Sequence, residues 1–267
     1  METYGKAPFT TAKILFNQAM YAFVRTVGSQ PSGGWLNSRW HWYRSPFSLR
    51  KKILWSARLQ CWFCPYDESA IECMLHLPDY EPVDWVAPKP GDTFMDVGAY
   101  VGWYTIQAAR VLGPAGRVIA LEPDTYNRGQ LEENLAINRL ENCTVVPAAA
   151  WFKAEEVGWR TDGVPVWSQV DQQSRGQSVR AVTIDSLVDE LGLRSVDWIK
   201  MDIEGAETEA LRGAERALRR FRPVLFIEIH ETLQAVRRFL EGFGYVIEKT
   251  EFDRPPDRHG WILARCP

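Results

Sequence analysis

From residue 91 onward, apolar residues fall into two alternating patterns: short continuous runs, and longer stretches with apolar positions three and four apart. Phe94-Met95 with Val97, Val118 to Leu121, and Val224 to Ile229 are runs of the first kind, which predict strands buried on both faces of a parallel sheet. Val101, Tyr104, Thr105, Ala108 and Leu112 show the second pattern, as do Ala206, Ala210, Leu211, Ala214 and Leu218, and both sets predict helices packed by one face. The pattern predicts strands at 93–97, 117–121, 143–147, 196–201, 224–229, 245–249 and 260–264. Helices are expected near 101–112, 124–138, 185–191, 205–219 and 231–242. Strands alternating with helices imply an α/β fold with right-handed crossovers.

Two stretches break the alternation. Residues 1–66 read as helices joined by the Gly28–Gly34 loop, and 67–90, with Pro78, Pro82, Pro88 and Pro90, as a helix and an extended approach to the first strand. Residues 151–182 lack helical spacing and contain Gly158, Gly163, Pro165 and Gly176, which predicts a hairpin or lid inserted in the main domain. Trp159 and Trp167, with Arg160, Arg175 and Arg180, suit stacking on a sugar, and suit equally a lid that packs on itself. The expected organisation is an extension over 1–66 and one catalytic domain over 67–267.

Charge sharpens that division. The chain of 267 residues has a net charge of only −3, yet residues 1–66 hold nine Lys or Arg against Glu2 alone, +8, which leaves −11 for residues 67–267. The basic quarter also carries Trp35, Trp40, Trp42, Trp55 and Trp62. Basic plus aromatic marks an interface, either an anionic membrane surface bound peripherally or a helical cap. Residues 9–27 are interrupted by Lys13, Asn17, Gln18 and Arg25, too polar for a membrane span or a signal-peptide core, so a cytoplasmic protein is expected. Five scattered cysteines do not form a disulfide framework, and the Cys61/Cys64 pair has no second pair to complete a structural zinc site.

The first strand carries the first chemical signal. Asp96-Val-Gly98-Ala-Tyr-Val-Gly102 places an acid and two glycines where a strand turns into a helix, the ligand-binding edge of an open α/β sheet. Its spacing is acidic-x-G-x-x-x-G, not the G-x-G-x-x-G of dinucleotide folds, which favours S-adenosylmethionine over NAD. The second strand ends at Glu122, a βαβ length after Asp96, where a carboxylate can accept from both ribose hydroxyls; a packing turn and a helix-capping acid are the plain alternatives. Period-two alternation puts Lys200, Asp202 and Glu204 on one side of the fourth strand, and Glu228 and His230 end the fifth strand in phase.

The chain resembles the FkbM-type family of S-adenosylmethionine-dependent methyltransferases. The likeness covers roughly residues 67–250 and is carried by Asp96 to Gly102, Leu121-Glu-Pro-Asp124 with Leu131-Glu-Glu-Asn134, Val182 to Leu187, Trp198 to Glu207 and Phe226-Ile-Glu-Ile-His230. It implies a Rossmann-like class I methyltransferase sheet, mostly parallel with helices on both faces, in which the fourth strand lies between the first and fifth. It implies a cofactor site of Asp96, Gly98, Ala99, Tyr100, Gly102, Thr105, Glu122, Pro123, Ala149 and Asp202. Lys200, Glu228, Trp159 and Trp167 are then expected on the acceptor side. Tyr100 stands where the family usually has Asn, so a polar contact gives way to aromatic packing, and the resemblance leaves residues 1–66 unaccounted for.

Family members O-methylate sugars and polyketides, so a small-molecule or glycan acceptor, free or lipid-linked, is expected. Methylating an alcohol needs its proton removed and in-line attack. His230 is the expected base, oriented by Glu228 or Asp202, with Glu204 beside it; a core histidine capping the strand is the plain alternative. Asp202, Glu204 and His230 could instead hold a divalent cation, but spacing shows no further well-placed carboxylate, and the metal-free reading is preferred. A nucleic-acid methyltransferase is disfavoured by the acidic body and the missing Asn/Asp-Pro-Pro-aromatic run. A non-catalytic module retaining the fold is the other alternative.

Overall fold

The computed structural model describes residues 51, 53–56, 59–76, 81–160, 169–170, 177–254 and 259–267. The helical reading of 1–50, and Trp167 and Arg175 of the insertion, lie outside them. The chain divides into two compact units, Met1–Leu75 and His76–Pro267. Among the described residues no helix is long and apolar enough to cross a membrane.

In the first unit, residues expected to be helical form an antiparallel hairpin instead. Strand β1 (Leu54–Ser56) pairs with β2 (Cys61–Phe63), and helix α1 (Glu68–His76) follows. The reason is local. Leu54, Ser56, Cys61 and Phe63 are buried, while Trp55 and Trp62 face each other across the strands with ring centroids 5.0 Å apart. Aromatic residues alternating with buried ones favour a pleated strand over a helix. Cys61 and Cys64 are buried.

The second unit follows the predicted alternation. In chain order it contains β3 (Thr93–Val97), α2 (Trp103–Leu112), β4 (Arg117–Leu121), α3 (Thr125–Ile137), β5 (Cys143–Val146) and β6 (Ala149–Ala150). Next come β7 (Glu155–Arg160), β8 (Gln169–Val170), β9 (Gln177–Val182), α4 (Ile184–Glu190), β10 (Trp198–Met201), α5 (Glu207–Arg212) and α6 (Glu215–Phe221). It closes with β11 (Val224–His230), α7 (Leu233–Gly242), β12 (Val246–Arg254) and β13 (His259–Arg265). The main sheet has the order β12-β13-β11-β10-β3-β4-β5. Strands β5, β4, β3, β10 and β11 are parallel, and β13 runs antiparallel between β11 and β12. The insertion is a hairpin, with β7 antiparallel to β9, joined by β6 and β8 into a separate four-stranded sheet.

The helix expected over 205–219 is two. A Cβ on Gly213 would meet the Trp151 carbonyl oxygen at 2.0 Å, so the chain passes this backbone too closely for a side chain there. Asp185 then starts α6 afresh, its carboxylate accepting from the amides of Arg216 (3.0 Å) and Ala217 (2.8 Å).

The two faces of the main sheet differ. One buries Met95, Val97, Ile119, Ile199, Met201, Leu225, Ile227 and Ile229 against apolar residues of α4 to α7. On the other, register aligns Asp96, Lys200 and Phe226 across β3, β10 and β11, with Glu228 and Trp261 paired one step further along and His230 and His259 beyond them. An aromatic floor underlies this face: Phe226 stacks on Trp261 at 4.2 Å, with Tyr104 5.8 Å and Trp85 6.4 Å from Phe226.

Candidate active site at the carboxyl edge of the sheet

The glycine turn at the end of β3 is built by its neighbours. A Cβ on Gly98 would lie 1.9 Å from the Asp202 carbonyl oxygen, so glycine is what lets β10 pass beside the turn. The turn's amides are engaged internally: Gly98 and Ala99 donate to the Leu121 carbonyl, Gly102 to that of Ala99, and Tyr100 to Glu122 Oε2 at 2.8 Å. Gly98, Tyr100 and Gly102 all adopt positive φ, which gives the turn its shape.

Glu122 is held at both carboxyl oxygens. Its Oε2 accepts from Tyr100 and its Oε1 from the Asp124 amide at 2.9 Å, which pins both oxygens at the end of β4. Burial pushes its pKa up to about 8 against these two bonds. Asp96 is fully buried; Thr105 donates to its Oδ2, and its Oδ1 has no hydrogen-bond donor, lying 3.4 Å from the Lys200 ammonium. A pinned carboxyl group beside a left-handed turn and an under-satisfied buried acid fit a cofactor carrying ribose hydroxyls and an amino group. Pro123 follows Glu122 at this edge, while Ala149 is buried among Trp151, Val157 and Ala206.

Lys200 binds the fold together at this point. Its ammonium donates to the Gly98 carbonyl at 2.8 Å, lies 3.8 Å from Asp202 and sits over the Tyr104 ring at 5.2 Å. Burial opposes its charge, but Asp96, Asp202, Glu81 and Glu228 outweigh that and raise its pKa. The ammonium, expected on the acceptor side, is thus turned inward and only 4% exposed. Trp159 is likewise buried in β7.

The outer tier holds the groups expected to do chemistry, with a different orienting partner. His230 Nδ1 donates to Glu207 Oε1 at 3.0 Å, not to Glu228 or Asp202, while its Nε2 lies 3.3 Å from Glu204 and 3.9 Å from Glu228. Glu207 is fully buried and also accepts from the Gly205 amide (2.9 Å) and the Thr232 hydroxyl (2.7 Å). Burial works against a charge on His230, but the Glu207 bond and the charges of Asp202 and Glu204 push its pKa up to about 9. It is therefore an imidazolium near neutral pH. Burial and the Asp202 charge push Glu204 up to about 7, so this quarter-exposed carboxyl is the group poised to exchange a proton. Asp202 and Glu228 hydrogen-bond each other. Burial and Asp202 hold the proton on Glu228, while Lys200 and this bond keep Asp202 ionised against its own burial.

Three groups here escaped the sequence reading. Glu81 accepts from the Tyr104 hydroxyl at 2.8 Å, and burial and Asp202 raise it to about 8. Glu207 closes the run whose earlier acids had been singled out. His259, opposite His230 on β13, stands 3.0 Å from Glu228 through its Nε2. Only Glu207 had a local signal, its place in the Trp198 to Glu207 run.

Known proteins resemble this chain. A family model described as the methyltransferase FkbM domain matches residues 96–247. The methyltransferase sdnD of Sordaria araneosa is 24% identical over 219 residues, which cover 67% of this chain and 84% of that protein. Methyltransferase 1 of Beauveria bassiana is 27% identical over 207 residues, covering 67% and 82%. The crystal structure of methyltransferase FkbM from Methylobacillus flagellatus KT shares the fold at a TM-score of 0.53 and 23% identity, over 70% of this chain and 46% of that one.

Proposed function

The chain belongs to the FkbM family of methyltransferases, with a class I methyltransferase sheet, and we propose that it transfers a methyl group from S-adenosylmethionine to a hydroxyl of a sugar, glycan or polyketide-like acceptor. The reading is supported above all by the Glu204–His230–Glu207 arrangement: a ring held at Nδ1 by a buried acid and facing a carboxyl of near-neutral pKa through Nε2.

S-adenosylmethionine, when bound, supplies an electrophilic methyl whose sulfonium sulfur leaves as a thioether. Glu122 would hold the ribose, and Asp96 with the Gly98–Gly102 turn the methionine end. The chain's own task is to prepare the acceptor. Glu204 takes the hydroxyl proton as the oxygen attacks, and the imidazolium of His230, positioned by Glu207, stabilises the carboxylate before that step. Lys200 keeps the turn and Asp202 in place, and the aromatic floor excludes water beneath them.

Incubation of the full chain with methyl-labelled S-adenosylmethionine and fractionated glycans or lipid-linked sugars tests the reading. Label should appear on oxygen, and Glu204→Gln should lose roughly 10²–10⁴ in turnover while cofactor affinity is unchanged. Transfer to nitrogen, or full turnover in Glu204→Gln, would overturn it.

A further inference from the structure

Two histidines and a buried carboxylate converge where β11 ends and β13 begins. His230 and His259 are opposed in antiparallel register, their rings 5.2 Å apart and nearly perpendicular. Glu228, two residues back on β11, lies between them, with Oε1 3.0 Å from His259 Nε2 and Oε2 3.9 Å from His230 Nε2. One ligand atom from each of the three lies within 4.8 Å of the others. Atoms bound about 2.0–2.2 Å from one ion stand about 3–4 Å apart, so small side-chain rotations would bring the three onto a common centre.

We propose that Glu228, His230 and His259 form a binding site for a divalent transition-metal ion. Two imidazoles with one carboxylate select an ion of the zinc, cobalt or manganese kind over magnesium, which prefers oxygen alone. The surroundings match such a centre independently of the ligands. His230 gives Nδ1–H to buried Glu207, which turns Nε2 toward the site, and Glu207 is itself held by Gly205 and Thr232. A carboxylate fixing the far nitrogen of a histidine is the usual outer shell of a metal-bound imidazole. Three protein ligands leave coordination positions open, the mark of a catalytic site as opposed to a structural one. Glu204 stands 3.3 Å from His230 Nε2 on that side.

The inference deepens the proposed hydroxyl methylation. An ion at this point would displace the protons that His230 Nε2 and Glu228 otherwise hold, take over the positive charge of the imidazolium, and draw electron density from the acceptor oxygen while Glu204 receives the proton. Metal binding itself does not depend on which acceptor is used, so the two can fail separately.

The test is a titration of the EDTA-stripped full chain with Co²⁺, followed by visible absorption, and with Zn²⁺, followed by metal content after gel filtration. S-adenosylmethionine affinity is measured calorimetrically alongside. One equivalent of either ion should bind, and His259→Ala and Glu228→Gln should each abolish it while cofactor affinity persists. Glu207→Gln should keep the stoichiometry but weaken binding about 10–100-fold. His259 is at the partly exposed start of its strand, so its variant keeps the fold. Absence of stoichiometric Co²⁺ and Zn²⁺ in the wild type, or binding retained in His259→Ala and Glu228→Gln, overturns the proposal. Metal binding without methyl transfer to a hydroxyl would leave this site standing and remove only the reading above.

Discussion

The two faces of one sheet solve opposite problems. Behind β3, β10 and β11, aliphatic side chains meet α4 to α7, and every contact is interchangeable in kind. In front, the same strands and their ends present Asp96, Lys200, Asp202 and Glu228, and each of these ionisable groups is tolerated only because a named partner lies within reach. The back face draws stability from area removed from water, and the front face spends some of it to hold groups out of their ordinary protonation states. The lesson is that substitutions on the back should change stability alone. On the front they should change stability, pH response and ligand binding together.

The largest expected effect breaks the front face. Lys200→Ala leaves the fully buried Asp96 without its cation, and the partly exposed Asp202 without its neighbour, and should cost about 3–5 kcal/mol of unfolding free energy. Lys200→Met combined with Asp96→Asn should recover part of that, since the charge then goes with its partner. Urea denaturation of the single and double variants measures it, and a loss under about 1 kcal/mol for Lys200→Ala would contradict the assigned role.

Glu122→Ala should weaken S-adenosylmethionine binding at least tenfold, about 1.4 kcal/mol, by calorimetric titration. Unchanged affinity would remove Glu122 from the cofactor site. On the back face, Ile227→Val should cost about 0.5–1.5 kcal/mol and leave cofactor affinity untouched. An altered affinity there would show that the faces are not separable.

A further expectation concerns pH. Glu122 has its pKa raised from 4.5 to about 8 in the folded protein. Between those values the folded chain keeps a proton that the unfolded chain has lost, so this group's contribution to stability falls as pH rises through that window. Glu122→Gln lacks that contribution and should gain on the wild type between about pH 5 and pH 8, as followed by urea midpoints. Parallel curves would show that Glu122 is not held protonated.

Much of the back face could be read along the chain. Strands β3 and β4 fall on the predicted residues, because a doubly buried strand must be a short apolar run bounded by turns. The acid-glycine turn, Glu122 and the Lys200 to Glu207 run could be read too, since each ends or follows such a strand. The helix break at Gly213 could not be read, because its cause is the backbone of Trp151, far away in sequence. Residues 54–63 misled for a different reason: two strands of three residues each, in a largely apolar stretch, carry too little alternation to be told from helical spacing.

The sequence by itself determined the sheet, its helices, the family and the edge where ligands belong, because these depend on periodicity and on residues adjacent along the chain. Tertiary structure alone decided the chemistry at that edge. It brought Glu81 onto Tyr104, turned Lys200 inward, gave His230 to Glu207 and set His259 opposite His230. The physical reason is that a protonation state or a ligand set depends on distances of about 3–4 Å between groups, and the pairing of β11 with an antiparallel β13, which sets such a distance here, leaves no local trace at either histidine.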